Sequence, residues 1–505
     1  MRTFHDAVEA VETYSPAEES FNARRRTIGL FAGPVVFLVL LLAPLPLAAP
    51  AHRIAAILAL MVVLWVTEAL PLAVTALLGP VMAVLLQVVP VRMAFASFAD
   101  PIIFVFIGSF ILAEAMFVHG VDRRIAYTAL SWSFVGASAG RILITFGAVT
   151  TFLSMWMSNT ATTAMMFPIG LSIVAHLART GMTGARQFAL VLMLITAFGA
   201  SIGGIATPVG TPPNLIGIGM LERISGIDIT FFQWMLLGVP AMVLMFGFVA
   251  VQFYLAGARN MTVGADSTQM VRDELAKLGP ISRGQRNVLT AFGITVLLWV
   301  MPGVFAVAGI DTSPIGRAFA QSVPESVAAM IGALLLFLLP LEWRARKFTL
   351  TWDQALKIDW GIVLLFGGGL AMGELAFSTG LAEAMGKGIT GWLPSQTTVA
   401  LTMLFTGVAI VLSEATSNTA AANMIVPIAI AVSQAAGVRA IEPALGAALG
   451  ASMGFMMPVS TPPNAIVYSS GFIPITSMMR YGIALDIAGY VVIVALVLLL
   501  GPIVF

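Results

Sequence analysis

Apolar runs separated by short polar breaks fill the chain from Ile28 to Phe505, and most approach the roughly 20 residues that a helix needs to cross about 30 Å of hydrocarbon. The pattern predicts membrane-spanning helices near 28–47, 54–69, 72–90, 101–119, 188–220, 233–255, 288–306, 324–340, 360–385, 444–470 and 482–502. Two further apolar stretches, 142–177 and 398–434, exceed one straight span. They carry polar residues at their middle, Ser158-Asn159-Thr160 in the first and Ser417-Asn418-Thr419 in the second. Each either crosses once with a break or dips in and returns as a re-entrant hairpin.

Basic residues separate these readings, because cytoplasmic loops carry an excess of Lys and Arg. With the N-terminus inside and both stretches as hairpins, only Arg53, Arg92, Arg223, Arg317, Lys387 and Arg439 fall outside, and the other nineteen of the twenty-five Lys and Arg fall inside. If both stretches cross fully, the split becomes eleven inside against fourteen outside and the bias is lost. The expectation is therefore an all-alpha polytopic membrane protein with eleven transmembrane helices and two re-entrant hairpins, N-terminus cytoplasmic and C-terminus extracytoplasmic, in a bacterial inner membrane. Composition agrees: 59% of residues are hydrophobic and 10% charged, where soluble domains carry roughly 25% charged residues. Residues 1–27, with Glu9, Glu12, Glu18, Glu19 and Arg24-Arg25-Arg26, read as a cytoplasmic tail without a signal-peptide pattern. Cysteine is absent, the four histidines are scattered, and no dense basic stripe offers a nucleic-acid surface.

Landmarks recur at fixed offsets. Asp100 and Asp359, Gly108 and Gly367, Ser158 and Ser417, and Pro168 and Pro427 are each 259 apart, while Thr211-Pro212-Pro213-Asn214 and Thr461-Pro462-Pro463-Asn464 are 250 apart. An odd number of spans between the copies makes the hairpins enter from opposite faces, the inverted-repeat plan of many secondary transporters. A backbone turn at membrane depth is tolerable only where protein or a polar cavity satisfies it, so the Ser-Asn-Thr turns must line something. The helix expected to start at Ala161 or Ala420 points free N–H groups at the turn, which favours an anion. Carbonyls ending the preceding helix near Ser154–Met157 or Ser413–Thr416 favour a cation. Prolines break the later spans after Ile205 and after Met457, giving two more helix ends near mid-membrane. A single triplet is most often helix glue; two matching sets are not. Among acidic residues near apolar segments, Glu68 reads as a helix end, Asp100 and Asp359 as N-caps, and Glu414 as either a brace for the second tip or an ion contact. Glu114 and Glu374 also lie close to apolar segments.

The doubled Ser-Asn-Thr and doubled Thr-Pro-Pro-Asn resemble those of the divalent anion/sodium symporter family, transporters of dicarboxylates, citrate and sulfate, over about 54–502. The resemblance implies a homodimer with an elevator-type ion transporter fold. Residues 28–100, 233–255, 288–358 and 477–505 would form scaffold, and 256–287 a cytoplasmic linker. Residues 101–232 and 359–476 would form the moving transport domain. It places one sodium ion at Ser154, Ser158, Asn159 and Gly210 and a second at Ser413, Thr416, Asn418 and Ser460, with no other cofactor. The substrate carboxylates would meet Ser158, Asn159, Thr160, Asn418 and Thr419, with Thr211 and Thr461 close by. Ala421 and Ala422 stand where the first copy has Thr162 and Thr163, so the halves are unequal in polarity. Neither tip has a Lys or Arg, so bound sodium, helix ends and hydroxyls would neutralise a dianion. The implied activity is not enzymatic: it is sodium-coupled uptake of a di- or tricarboxylate such as succinate, malate or fumarate. The alternatives are sodium-independent dicarboxylate exchange, or sodium-coupled transport of sulfate or citrate.

Overall fold

The computed structural model describes residues 16–136, 138–179, 184–259 and 266–505. Most of the expected tail, residues 1–15, and part of the expected linker, 260–265, lie outside the described residues. Helices of seven residues or more, in chain order, are α1 (Pro16–Leu42), α2 (Ala49–Thr67), α3 (Leu72–Leu85), α4 (Pro101–His119), α5 (Val121–Leu130), α6 (Ala139–Ser154), α7 (Asn159–Arg179), α8 (Ala185–Gly204), α9 (Pro212–Ser225) and α10 (Phe231–Gly257). After the linker helix α11 (Asp266–Lys277) come α12 (Arg283–Val307), α13 (Pro314–Ser322) and α14 (Glu325–Leu338). The chain continues through α15 (Trp360–Ser378), α16 (Leu381–Thr390), α17 (Thr398–Ala415), α18 (Asn418–Ala435), α19 (Ile441–Gly450), α20 (Pro462–Tyr468) and α21 (Ile475–Val504).

Among the described helices, nine are long and apolar enough to cross a membrane. The pair α13–α14, bent by 63°, makes up to ten. Several expectations need correction. Helix α1 reaches further toward the N-terminus than the expected 28, since the described residues are helical from Pro16; Arg25 there pairs with Glu68 at 2.7 Å, tying α1 to the end of α2. The stretch 360–385 is two helices, divided at Gly380 (φ 81°), as α4 and α5 are divided at Gly120 (φ 63°). The architecture is all-alpha, as expected, with one small antiparallel pairing among the described residues, Pro340–Glu342 with Lys347–Phe348, where Pro340 cannot continue α14 and Arg346 takes a positive φ in the turn. The stretches 142–177 and 398–434 are each two helices, α6–α7 and α17–α18, broken at the polar triplets.

Local signals account for the ends. Asp100 caps α4 by accepting from the Ile102 N–H at 3.0 Å, and Asp359 caps α15 by accepting from Ile362 at 3.2 Å, the capping role read from sequence. Glu68 ends α2 in the left-handed conformation. Thr230 with Gln233 and Ser282 with Gln285 form capping boxes at α10 and α12.

The doubled landmarks become doubled architecture. Helices α4 to α9 recur in the same order as α15 to α20. The packing is reciprocal: α14 lies on α4 and α3 on α15, α20 on α7 and α9 on α18, and α20 on α8 and α9 on α19. Likewise α10 packs against α6 and α8, α21 packs against α17 and α19, and α10 and α21 pack on one another. At the centre stand α8, buried at every residue from Phe188 to Gly204, and α19, buried throughout. Helices apolar on all sides belong in such a core, not on its surface.

Polar contacts group residues by predicted side. Arg124 donates to the Leu278, Gly279 and Pro280 carbonyls and to Gln285, while the His119 ring reaches the Thr349 carbonyl at 2.7 Å; all fall on the predicted inner side. Arg223 meets Glu374 at 3.1 Å and Asp100 at 3.9 Å on the predicted outer side, which makes Glu374 a partner in an ion pair rather than a lone intramembrane acid. With no native cysteine, Gln269→Cys and Asp311→Cys supply single exposed reporters. An impermeant maleimide applied to intact cells is expected to label position 311 and to reach position 269 only after permeabilisation; the reverse pattern would invert the topology.

Asp122, on the short helix α5 outside the spanning helices, gives a second test. Burial pushes its carboxyl from the ordinary 3.8 up to about 6. A raised acid favours the folded state fully below its unfolded value, and that stability is lost as pH rises through about 6. The shift of about two units corresponds to roughly 3 kcal/mol. Thermal unfolding of the purified protein is therefore expected to lose stability between pH 4 and 7. Asp122→Asn should flatten that slope, and an unaltered slope in the variant would count against this origin.

Candidate binding site

The two tips share one hydrogen bond, from a serine to the asparagine of the triplet. In the first copy the Ser154 hydroxyl donates to Asn159 Oδ1 at 2.8 Å; in the second the Ser413 hydroxyl lies 2.7 Å from Asn418 Oδ1 and 2.7 Å from the Ala451 carbonyl. Both asparagines are the first residues of their helices, α7 and α18, so those helices begin two residues earlier than the expected Ala161 and Ala420. Ser158 Oγ caps α7 by accepting from the Ala161 N–H at 3.2 Å. The first-turn N–H groups of α7 and α18 are therefore presented at half-exposed Ser158, Asn159 and Thr160, and at Ser417 and Asn418.

The Thr-Pro-Pro-Asn elements supply the other half of each cluster. Asn214 Nδ2 donates to the Gly204 and Thr207 carbonyls at 2.9 and 2.7 Å, and Asn464 Nδ2 to the Gly454 and Met457 carbonyls at 3.0 Å each. The Thr207 and Met457 carbonyls also take the Gly210 and Ser460 N–H groups, at 3.3 and 3.2 Å, and in each copy one amide joins two carbonyls at the broken helix. Glycines let tip and loop touch: a Cβ on Gly204 would lie 2.3 Å from Asn159 Oδ1, and one on Gly454 3.2 Å from Asn418 Oδ1. Gly210 is pressed on Gly204, with Gly204 O 2.5 Å from its ideal Cβ position.

The structure thus brings Ser154, Ser158, Asn159 and Gly210 into one cluster and Ser413, Asn418 and Ser460 into another. Thr211 and Thr461 are buried at the restart of α9 and α20, and Thr461 Oγ1 accepts from the Asn464 N–H. Thr160 is half-exposed beside Asn159, and Thr419 is buried one residue into α18. The Thr416 hydroxyl instead donates to the Trp65 carbonyl of α2 at 3.3 Å.

The copies differ in how their loops are held. In the first, α8 runs to Gly204, close to the expected break, and the Thr207 hydroxyl donates to the Met155 carbonyl. In the second, α19 ends at Gly450, seven residues before the expected Met457. The Glu414 carboxylate explains the earlier break: it accepts from the Phe455 and Met456 N–H groups and from the Ser460 hydroxyl at 2.7 Å, replacing helical bonds over that segment. Glu414 therefore braces the second loop. Residues missed by sequence reasoning are the paired Asn214 and Asn464, whose place in the repeated motif was the available signal, and Gly204 and Gly454, whose signal was their position 250 apart.

Each cluster offers hydroxyl, amide and backbone carbonyl oxygens, a donor set suited to a hard cation, beside helix N-terminal N–H groups suited to an anion. A many-spanned membrane protein with paired, helix-broken polar clusters is a membrane transporter. The chain belongs to the family described as "Sodium:sulfate symporter transmembrane region", which matches residues 24–505. It is 33% identical over 502 residues to the "Sodium-dependent dicarboxylate transporter SdcS" of Staphylococcus aureus (strain USA300), covering 97% of this chain and 94% of that one. The same protein of strain MRSA252 is 33% identical over 489 residues, covering 94% and 91%. In fold the chain is similar to the Alcanivorax borkumensis YdaH transporter (TM-score 0.51, 12% identity, 95% and 98% covered). It is also similar to Neisseria gonorrhoeae MtrF (TM-score 0.50, 11% identity, 98% and 97% covered).

The glycines yield a graded test. Gly204→Ala must displace the Asn159 amide and is expected to cost about 1–3 kcal/mol of ligand binding, as overpacking does. Gly454→Ala, with its nearer neighbour at 3.2 Å, is expected to cost less. Isothermal titration with sodium and anion on monodisperse protein reads both; equal affinities in the two variants would disprove the tip–loop contact.

Proposed function

We propose that the protein couples inward sodium movement to uptake of a small di- or tricarboxylate, with succinate, malate and fumarate as first substrates. The duplicated tip–loop cluster, with the same hydrogen bonds 259 and 250 residues apart, carries the reading. In this reading Ser154, Ser158, Asn159 and Gly210 hold one sodium ion. Ser413, the Thr416 backbone, Asn418 and Ser460 hold another. Ser158, Asn159, Thr160, Asn418 and Thr419 meet the carboxylates, with Thr211 and Thr461 close by. An asparagine at the first helical position can turn its carbonyl to the cation and its amide to the anion. Neither tip nor loop contains Lys or Arg, so a dianion depends on sodium for neutralisation. That dependence is the thermodynamic coupling: whatever sodium adds to anion affinity, the anion returns to sodium affinity.

The same reading assigns eleven spans and two re-entrant hairpins to an inverted repeat, with the N-terminus cytoplasmic and the C-terminus extracytoplasmic in a bacterial inner membrane. It also assigns α4–α9 and α15–α20 to a transport unit that moves as an elevator against a dimeric scaffold. The names of the Staphylococcus relatives support dicarboxylate as substrate, and the family description makes sulfate the competitor to test.

Proteoliposomes loaded with low sodium supply the experiment. Uptake of labelled succinate is expected to require external sodium, to be inhibited by malate and fumarate more than by sulfate, and to rise when valinomycin sets the interior negative. One net charge moved through 100 mV is worth roughly 2.3 kcal/mol. Uptake blind to both sodium and potential would leave exchange as the mechanism. In purified protein, Asn159→Ala and Asn418→Ala should each weaken both sodium and succinate binding by at least about tenfold, the scale of losing a ligand-positioning group. Wild-type affinities in both variants would exclude the proposed site.

A further inference from the structure

Asp486 stands in α21, and from Ile483 to Val504 it is the one charged residue of that helix. It is 6% exposed. Gly482 and Gly489, one turn to either side, share its face. A Cβ on Gly482 would lie 2.5 Å from the Phe455 carbonyl oxygen, and one on Gly489 3.0 Å from Met453 Sδ. The face of α21 that carries Asp486 is therefore laid directly on the loop that Glu414 braces. Phe455, whose carbonyl faces Gly482 on α21, has its N–H held by Glu414, so Asp486 and Glu414 are neighbouring acids across this seam. Glu414 has three donors of its own, yet among the described residues no N–H or O–H donates to either oxygen of Asp486.

No basic side chain offsets the pair. Of the helices packed on α21, α10 has no charged residue and α17 has only Glu414. Helix α19 has only Glu442, which lies beside Gly501 and pairs with Arg439 at 3.3 Å. Arg480, on α21 itself, is exposed. Two carboxylates this close in a low-dielectric interior repel strongly and require a positive charge between them. A proton would satisfy one Asp486 oxygen and leave the other buried without a partner. A small cation seated between the groups meets both Asp486 oxygens and the lone pairs that Glu414 has left. Among the described residues no group of three or more His, Cys, Asp or Glu is arranged to hold a metal, and an all-oxygen pair suits a hard alkali ion.

We propose that Asp486 and Glu414 form a further binding site for a monovalent cation of sodium's class, adjoining the second tip through the Ser460 hydroxyl that donates to Glu414, and made at the seam between α21 and loop 451–461. The first copy has no counterpart: Met155 stands at the place of Glu414, Gly210 at that of Ser460, and α10 carries no acid. The site rests on the sodium-coupled reading and adds one positive charge to the ions held at the tips.

Equilibrium binding of radioactive sodium to purified, monodisperse protein tests it, alongside sodium-dependent thermal stabilisation. The wild type is expected to bind one more ion per protomer than the two tips account for. Asp486→Asn, Asp486→Ser and Glu414→Met should each lose that ion and raise half-saturating sodium by at least about tenfold, while Asn159→Ala should retain it. A wild-type stoichiometry no greater than the tips provide would overturn the site whether or not any variant folds. So would wild-type stoichiometry and affinity in the Asp486 variants. Stabilisation of sodium-free wild type by acid, abolished in Asp486→Asn without loss of bound sodium, would identify a proton instead and overturn the cation site. Absence of any sodium binding in the wild type would fail the sodium-coupled function itself, which distinguishes the two failures.

Discussion

Every backbone N–H and C=O at membrane depth needs a partner inside the protein, and the rest of this structure follows from how that requirement is met where helices break. Breaking a helix creates the oxygen and N–H groups from which an ion or anion site can be made, but leaving them unsatisfied costs several kcal/mol each. The side-chain amides of Asn214 and Asn464 resolve the conflict by each taking two loop carbonyls, so the loops persist as ordered structure without being helical. The glycines at 204 and 454 then let the tips lean on those loops. Polarity is concentrated where it is needed, and the surrounding α8, from Phe188 to Gly204, and α19 remain buried.

The two copies solve one problem with different charges. In the first copy the loop is held by neutral groups, the Thr207 hydroxyl on the Met155 carbonyl and the Asn214 amide. In the second a carboxylate, Glu414, takes two N–H groups and a hydroxyl, and the helix before the loop is shortened to Gly450. An acidic group beside one cluster and not the other gives the two clusters different electrostatic surroundings, since a charge a few ångströms away acts strongly where water is scarce. Reciprocal packing links the clusters mechanically: α9 of the first copy lies on α18 of the second, and α20 of the second on α7 of the first.

Periodicity and spacing determined a good deal of this by themselves. Apolar runs marked the long helices because nothing but a helix satisfies its own backbone in lipid, and the capping roles of Asp100 and Asp359 followed from their place before those runs. The offsets 259 and 250 marked the doubled site, since matching polar elements in an apolar sequence survive only where they act together. Tertiary structure decided what depends on neighbours distant in sequence. The break at Gly450 depends on a carboxylate 36 residues earlier in the numbering, Glu414, and α1 is held to the end of α2 by the pair Arg25–Glu68. The Thr416 hydroxyl is taken by the Trp65 carbonyl, and Asp486 acquires chemical meaning only because Gly482 and Gly489 let α21 press against the loop that Glu414 holds. Sequence spacing records which groups must be polar, because burial in lipid penalises every error; which partner each one finds is set by the close approach of helices, and that approach is a property of the folded chain.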